Sequence, residues 1–106
     1  MGKRRIPEVR ASSPHTLRGS VVIDALDLHG LTVKQAERRL EAFLERVAVS
    51  EPGGVVRIVT GKGARSSGAP LIRDMVRDAL NGWLAHSVCD WSIDLGAGAY
   101  LVRVKR

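Results

Sequence analysis

Thiol chemistry is nearly absent from this chain. Cys89 is the one cysteine, which excludes an internal disulfide and a cysteine-ligated zinc site and fits a reducing compartment. Histidine is scarce as well: His15, His29 and His86 lie far apart, and no pair has the spacing of a metal-binding motif. No apolar run is long enough to cross a membrane. The basic N-terminus has no apolar stretch behind it, so it does not read as a secretory signal. The expectation is a cytoplasmic protein with no membrane partner. At 106 residues the chain has room for one core and no second domain. A deep enclosed cavity is not expected, so any site should be a surface cleft or a cluster of loops.

Cations are in excess, with a formal net charge of +6, and strong basicity points to a polyanionic partner. Most of the excess sits at the front. Within residues 1–20, Lys3, Arg4, Arg5, Arg10 and Arg18 stand against Glu8, a net +4; residues 21–106 carry the other +2. The leading segment contains Pro7, Pro14, Gly19 and several serines without a clear period. It reads as a flexible basic arm. Such an arm can bind phosphates, and it can equally be a solvated tail.

From Val21 the pattern sharpens. Val21 to His29 reads as a strand that Gly30 breaks. Thr32, three residues before Gln35, is a capping-box start for a first helix, with Ala36, Leu40, Phe43, Leu44 and Val47 at helical spacing. Glu51-Pro52-Gly53-Gly54 ends it, and Val55 to Thr60 is a short β-branched strand. A loop follows from Gly61 to Ala69, and Pro70 suits the first turn of a second helix. That helix carries an apolar stripe of Leu71, Ile72, Met75, Val76, Ala79, Leu80 and Trp83. Val88 to Asp94 and Ala99 to Lys105 are the last strands, joined by a turn too tight for anything but antiparallel pairing. The order β-α-β-α-β-β implies parallel pairing through right-handed crossovers elsewhere. Alternation gives each strand one apolar side and one partly polar side. Cys89, Trp91 and Ile93 form the apolar side of the third strand, and Val102 and Val104 oppose Arg103 and Lys105 in the last. A two-layer α/β sandwich follows, with both helices on one face of the sheet. Trp83, Trp91 and Cys89 are expected in the core, and Tyr100 either there or stacked on a base.

Three glycine-bearing segments should meet at one edge of that sheet. Asp27-Leu28-His29-Gly30 ends the first strand, Thr60-Gly61-Lys62-Gly63 ends the second, and Gly96-Ala97-Gly98 turns into the last. The carboxyl ends of parallel strands are where open α/β sheets bind ligands. Asp27 and His29 are two apart on a strand, so they point the same way. A carboxylate there can orient the imidazole as the base that attack on a phosphodiester requires. The pair can also do no more than cap the loop. Lys62 offers a charge for a phosphate, and Gly61 and Gly63 let backbone N–H groups turn outward as an anion nest. Arg65 and Arg73 can add to it, as can the helix N-termini. Gly30, Thr60, Gly96, Gly98 and Arg103 complete the set expected to contact phosphate. The loop is neither a Walker A motif nor a dinucleotide fingerprint.

Taken together, Leu26-Asp27-Leu28-His29-Gly30-Leu31-Thr32 followed by Ala36, then Val59-Thr60-Gly61-Lys62-Gly63, then Gly96-Ala97-Gly98 resemble the small MutS-related (Smr) domain over roughly residues 21–106. With no ATPase or mismatch-recognition region and a histidine in the first motif, the chain is similar to the stand-alone form. The third motif departs from the family in having Leu95-Gly96 where two glycines are frequent, and the loop after Gly63 has the extra small residues Ser66, Ser67 and Gly68. The resemblance implies a mixed four-stranded sheet with two helices, akin to the C-terminal domain of translation initiation factor three. It implies nucleic-acid binding, with endonuclease or nicking activity on DNA or RNA in several members, and Asp27, His29 and the Gly61-Lys62-Gly63 loop as the residues involved.

The expected activity is therefore an endonuclease in which Asp27 orients His29, His29 acts as base or acid, and Lys62 with the loop amides steadies phosphate charge. No cofactor is required, although Asp27 could hold Mg²⁺ through water. The alternatives are a nucleic-acid-binding module without catalysis and an interaction domain docking on a ribosome or repair factor. A monomer is expected.

Overall fold

A computed structural model describes residues 17, 19–61, 69–94 and 98–106. The first helix begins where local chemistry dictates. Thr32 Oγ1 accepts from Gln35 N at 3.1 Å, and Gln35 Oε1 accepts from Thr32 N at 3.0 Å, a reciprocal cap that satisfies two otherwise orphaned donors. From it runs α1 (Val33–Ser50), with Ala36, Leu40, Phe43, Leu44 and Val47 buried. It is preceded by β1 (Val22–Asp27) and followed by β2 (Val55–Val59) and α2 (Ala69–Asn81). A 3₁₀ turn (Ala85–Ser87) then leads into β3 (Val88–Asp94) and β4 (Ala99–Val104).

The sheet order is β1-β2-β4-β3. β1 pairs parallel with β2, and β4 pairs antiparallel with both β2 and β3. β3 does not pair with β2, as a simple crossover would have it. The α2 crossover carries it one position further and leaves a slot that the hairpin fills with β4. One apolar cluster joins both helices to Leu28, Val56, Ile58, Trp91, Tyr100, Val102 and Val104. Both helices therefore cover the same face. No described helix is long and apolar enough to cross a membrane.

Four expectations change. Leu17, assigned to the flexible arm, is 0% exposed and packs with Val22, Val55 and Leu101 on the face away from the helices. Ser20 N bonds Leu17 O at 3.1 Å, turning the chain onto that face. Trp83 is 46% exposed, because α2 stops at Asn81 and Leu84, whose N bonds Ala79 O at 2.8 Å, takes the core position. Leu71 is exposed, one position round from the buried stripe of Ile72, Met75, Val76, Ala79 and Leu80. Finally, alternation in β3 is broken. Its register with β4 shifts between Val88 and Asp90, so Val88 and Trp91 share the helix face and Cys89 is left partly exposed at a bulge. β1 has a matching shift between Val22 and Asp24.

A fully buried leucine cut to alanine costs about 2–5 kcal/mol. Leu17→Ala should lower the urea midpoint of unfolding accordingly with an unchanged m-value; an unaltered midpoint would show that Leu17 contributes nothing to the fold.

Candidate functional site

The end of β1 is fixed by Leu28, which is completely buried and whose N–H bonds Val59 O at 2.8 Å. With Leu28 inward, alternation turns Asp27 and His29 outward together. Asp27 Oδ1 accepts from His29 N at 3.0 Å and from His29 Nδ1 at 2.7 Å. An ionised carboxylate has no proton to give, so Nδ1 must be the donor. In the neutral ring, Nε2 is then the unprotonated nitrogen, a base. The two side chains are 68% and 56% exposed, so the base faces solvent. The hydrogen bond from the His29 side chain, more than any other influence, holds the Asp27 carboxyl below the usual range; slight burial opposes it, while the His29 amide and ring charge assist.

The second segment is tied to the third by one atom. The carbonyl oxygen of Gly98 accepts from Thr60 N at 2.9 Å, Gly61 N at 3.1 Å and Thr60 Oγ1 at 3.2 Å. Gly61 and Gly98 both have positive φ, 106° and 62°, a region a side chain would strain. This clasp brings the end of β2 and the start of β4 together. Across the edge, Asp27 pairs with Val59, Val59 with Ala99, and Ala99 with Asp94, so all four strands end or begin in one row. The first turns of α2 are drawn to the same edge, because Tyr100 OH donates to Arg73 O at 3.1 Å.

The expected residues sort accordingly. Asp27, His29, Gly30, Thr60, Gly61 and Gly98 meet at this edge, with Arg73 close to it. Thr60 is buried with its hydroxyl turned to Gly98, so its side chain holds the loops together. Tyr100 is buried against Trp91, ring centroids 5.4 Å apart, and is not a platform for a base; burial pushes its hydroxyl pKa up. Arg103 is at the wrong end: it pairs with Val55 at the start of β2 and donates to Gly53 O at 3.0 Å. Alternation gave its face, not its end. Lys62, Gly63, Arg65 and Gly96 lie outside the described residues.

Sequence reasoning passed over Arg57. On the face away from the helices, its Nε donates to Asp94 Oδ2 at 3.0 Å across β4. Alternation in β2 sets Arg57 opposite Val56 and Ile58, but its partner is fixed only by the strand order. Among the described residues no group of three or more His, Cys, Asp or Glu could hold a metal ion. Asp27 and His29 are a pair bonded to each other; a Mg²⁺ would have to meet the outer carboxylate oxygen largely through water.

This is a two-layer α/β sandwich that gathers an aspartate–histidine pair and glycine loops at the ends of its two parallel strands. The chain belongs to the Smr domain family, whose sequence pattern matches residues 26–105. Its structure is similar to the Smr domain of Thermus thermophilus MutS2, with a TM-score of 0.65 and 24% identity, covering 79% of this chain and 100% of that one; at that identity the likeness concerns the fold. No curated protein matches the chain.

Replacing His29 removes the largest influence on Asp27. In His29→Ala the Asp27 carboxyl should titrate back near the ordinary range, read by carboxyl-carbon NMR; an unmoved titration would refute the coupling. A carboxyl lowered in the folded state stabilises above its unfolded pKa, and the contribution fades as pH falls through the folded value. Exposure keeps it small.

Proposed function

We propose that this protein cuts or nicks phosphodiesters in DNA or RNA, with His29 Nε2 as the proton-transfer group and Asp27 as the residue that orients it. The observation that carries this reading is the 2.7 Å bond between His29 Nδ1 and Asp27 Oδ1 on a ring whose far nitrogen faces solvent. Membership of the Smr family, associated with nucleic-acid binding and nicking endonucleases, supports it. In an attack on phosphorus, Nε2 takes the proton from a water, or in RNA from the neighbouring 2′-hydroxyl; the freed oxygen bonds to phosphorus, the bond to the leaving sugar oxygen breaks, and the imidazolium, steadied by Asp27, gives the proton to that oxygen. Lys62 and the amides of the Gly61-Lys62-Gly63 loop take the charge gathering on the phosphoryl oxygens. Arg65 and Arg73 hold flanking phosphates, and the basic residues 1–20 add affinity that falls with salt. Mg²⁺ enters this scheme only as an ion that Asp27 could orient through water. The working compartment in this reading is the cytoplasm, with the protein as a monomer.

A second reading has an observation of its own. The dyad is more than half exposed, and a site that does not exclude water forgoes the strengthening that a low dielectric gives to electrostatic stabilisation. That favours a module that binds nucleic acid, alone or docked on a ribosome or repair factor, without cutting it.

One assay separates the two. Labelled single-stranded RNA, structured RNA, supercoiled DNA and branched DNA are incubated with the protein in Mg²⁺ or EDTA. Cleavage should be present and should fall about 10²–10⁴-fold in His29→Ala, with the dissociation constant nearly unchanged. Binding on every substrate without cleavage would remove the enzyme and leave the module. Lys62→Ala should weaken binding and lessen its salt slope by about one phosphate contact.

A further inference from the structure

Where α1 faces the outer side of β1 it presents arginines and no carboxylate. Glu37, Glu41 and Glu45 recur every fourth residue, which stacks them in one stripe along the helix. Arg38, Arg39 and Arg46 lie beside that stripe, where with Leu26, Ala42 and Phe43 they line an open groove of about 390 Å³ between α1 and β1. β1 is the outer strand, so nothing in the sheet lies beyond this groove. Its floor is apolar and its rim is cationic. Arg46 has its guanidinium 5.3 Å from the Phe43 ring centroid and 3.5 Å from Asp24 Oδ2, which leaves it held and partly neutralised. Arg38 and Arg39 are exposed, and among the described residues neither is in an ion pair.

The groove opens on the helix side of β1, next to the strand end whose other side carries the dyad. Leu26, on its wall, immediately precedes Asp27 and stands on the helix face, paired with Ile58. From there α1 runs away from the edge, and Arg38 and Arg46 are about 12 Å apart along its axis at 1.5 Å rise per residue. Beyond Arg46 a second cleft of about 280 Å³ brings in Asp24, Ser50 and Glu51. The cationic stretch is therefore bounded by the loop edge of the sheet at one end and by carboxylates at the other.

We propose that this groove carries the substrate strand away from the cutting site, with Arg38 and Arg39 on consecutive phosphates and the Leu26–Ala42–Phe43 floor under a base or sugar. This rests on the reading of the chain as a nucleic-acid-binding Smr domain and assigns it a path for the strand. Guanidinium groups suit phosphate by their forked donors. An apolar floor beside a cationic rim is the arrangement that holds a single strand without reading its sequence. The carboxylates at Asp24 and Glu51 repel a polyanion and end the track.

The test compares the wild-type chain, Arg38→Ala/Arg39→Ala and, from the adjoining acidic stripe, Glu41→Ala/Glu45→Ala. Each binds a labelled single-stranded oligonucleotide over a series of salt concentrations. All four positions are exposed, and circular dichroism checks that each variant folds. Losing two phosphate contacts should flatten the plot of log K against log salt by about 1.4 and weaken binding at low salt at least several-fold. The Glu41→Ala/Glu45→Ala variant should bind no more weakly than wild type. If wild type binds and the arginine variant keeps its affinity and slope, the groove is overturned while the reading of the domain stands. If wild type binds no nucleic acid at all, that reading falls and the groove with it.

Discussion

The geometry of the site depends on Leu28. Its burial and the bond from its N–H to Val59 O fix the residue that follows β1 in the core. The strand's alternation then leaves Asp27 and His29 one way to go. Burying such a side chain is worth about 1.5–3 kcal/mol, more than an exposed pair of this kind contributes. The pair is thus held from behind by the core. Gly30, at φ 82°, turns the chain sharply enough for the Thr32 cap to follow within two residues, so the same few residues close the strand, present the dyad and start the helix.

The Gly98 carbonyl plays the corresponding part for the other two loops. Three donors converge on an oxygen with two lone pairs, so the bonds are shared and the Thr60 hydroxyl is committed to the scaffold. Thr60 therefore matters through the placement of its neighbours. Between them, Leu28 and Gly98 convert loops far apart in sequence into a single edge.

Much of this was legible in the residues, and the reasons differ by element. The start of α1 was readable because a capping box is local, and both halves lie within four residues. The Asp27–His29 pairing was readable because alternation needs only the strand. The third strand misled because a bulge is invisible to alternation: Cys89 adds one residue, and the sides exchange between Val88 and Trp91. Trp83 misled because the helix period continues past the point where the chain leaves the helix and Leu84 takes the core position. Leu17 was hidden because one apolar residue in a Pro- and Ser-rich stretch has no period to belong to. Arg57–Asp94 and the end of the sheet where Arg103 lies are questions of strand order, which no local pattern encodes.

The two bulges have a consequence of their own. The outer strands β1 and β3 each slip register near their first residue. A flat outer strand is a template on which another chain can add itself, and a bulge twists that template out of shape while consuming a residue that would have paired. Both exposed borders of this sheet are therefore spoiled as growth surfaces at the same end, with Asp24 on one of them adding a charge. Copies of the chain brought to high local concentration are in this way discouraged from joining strand to strand.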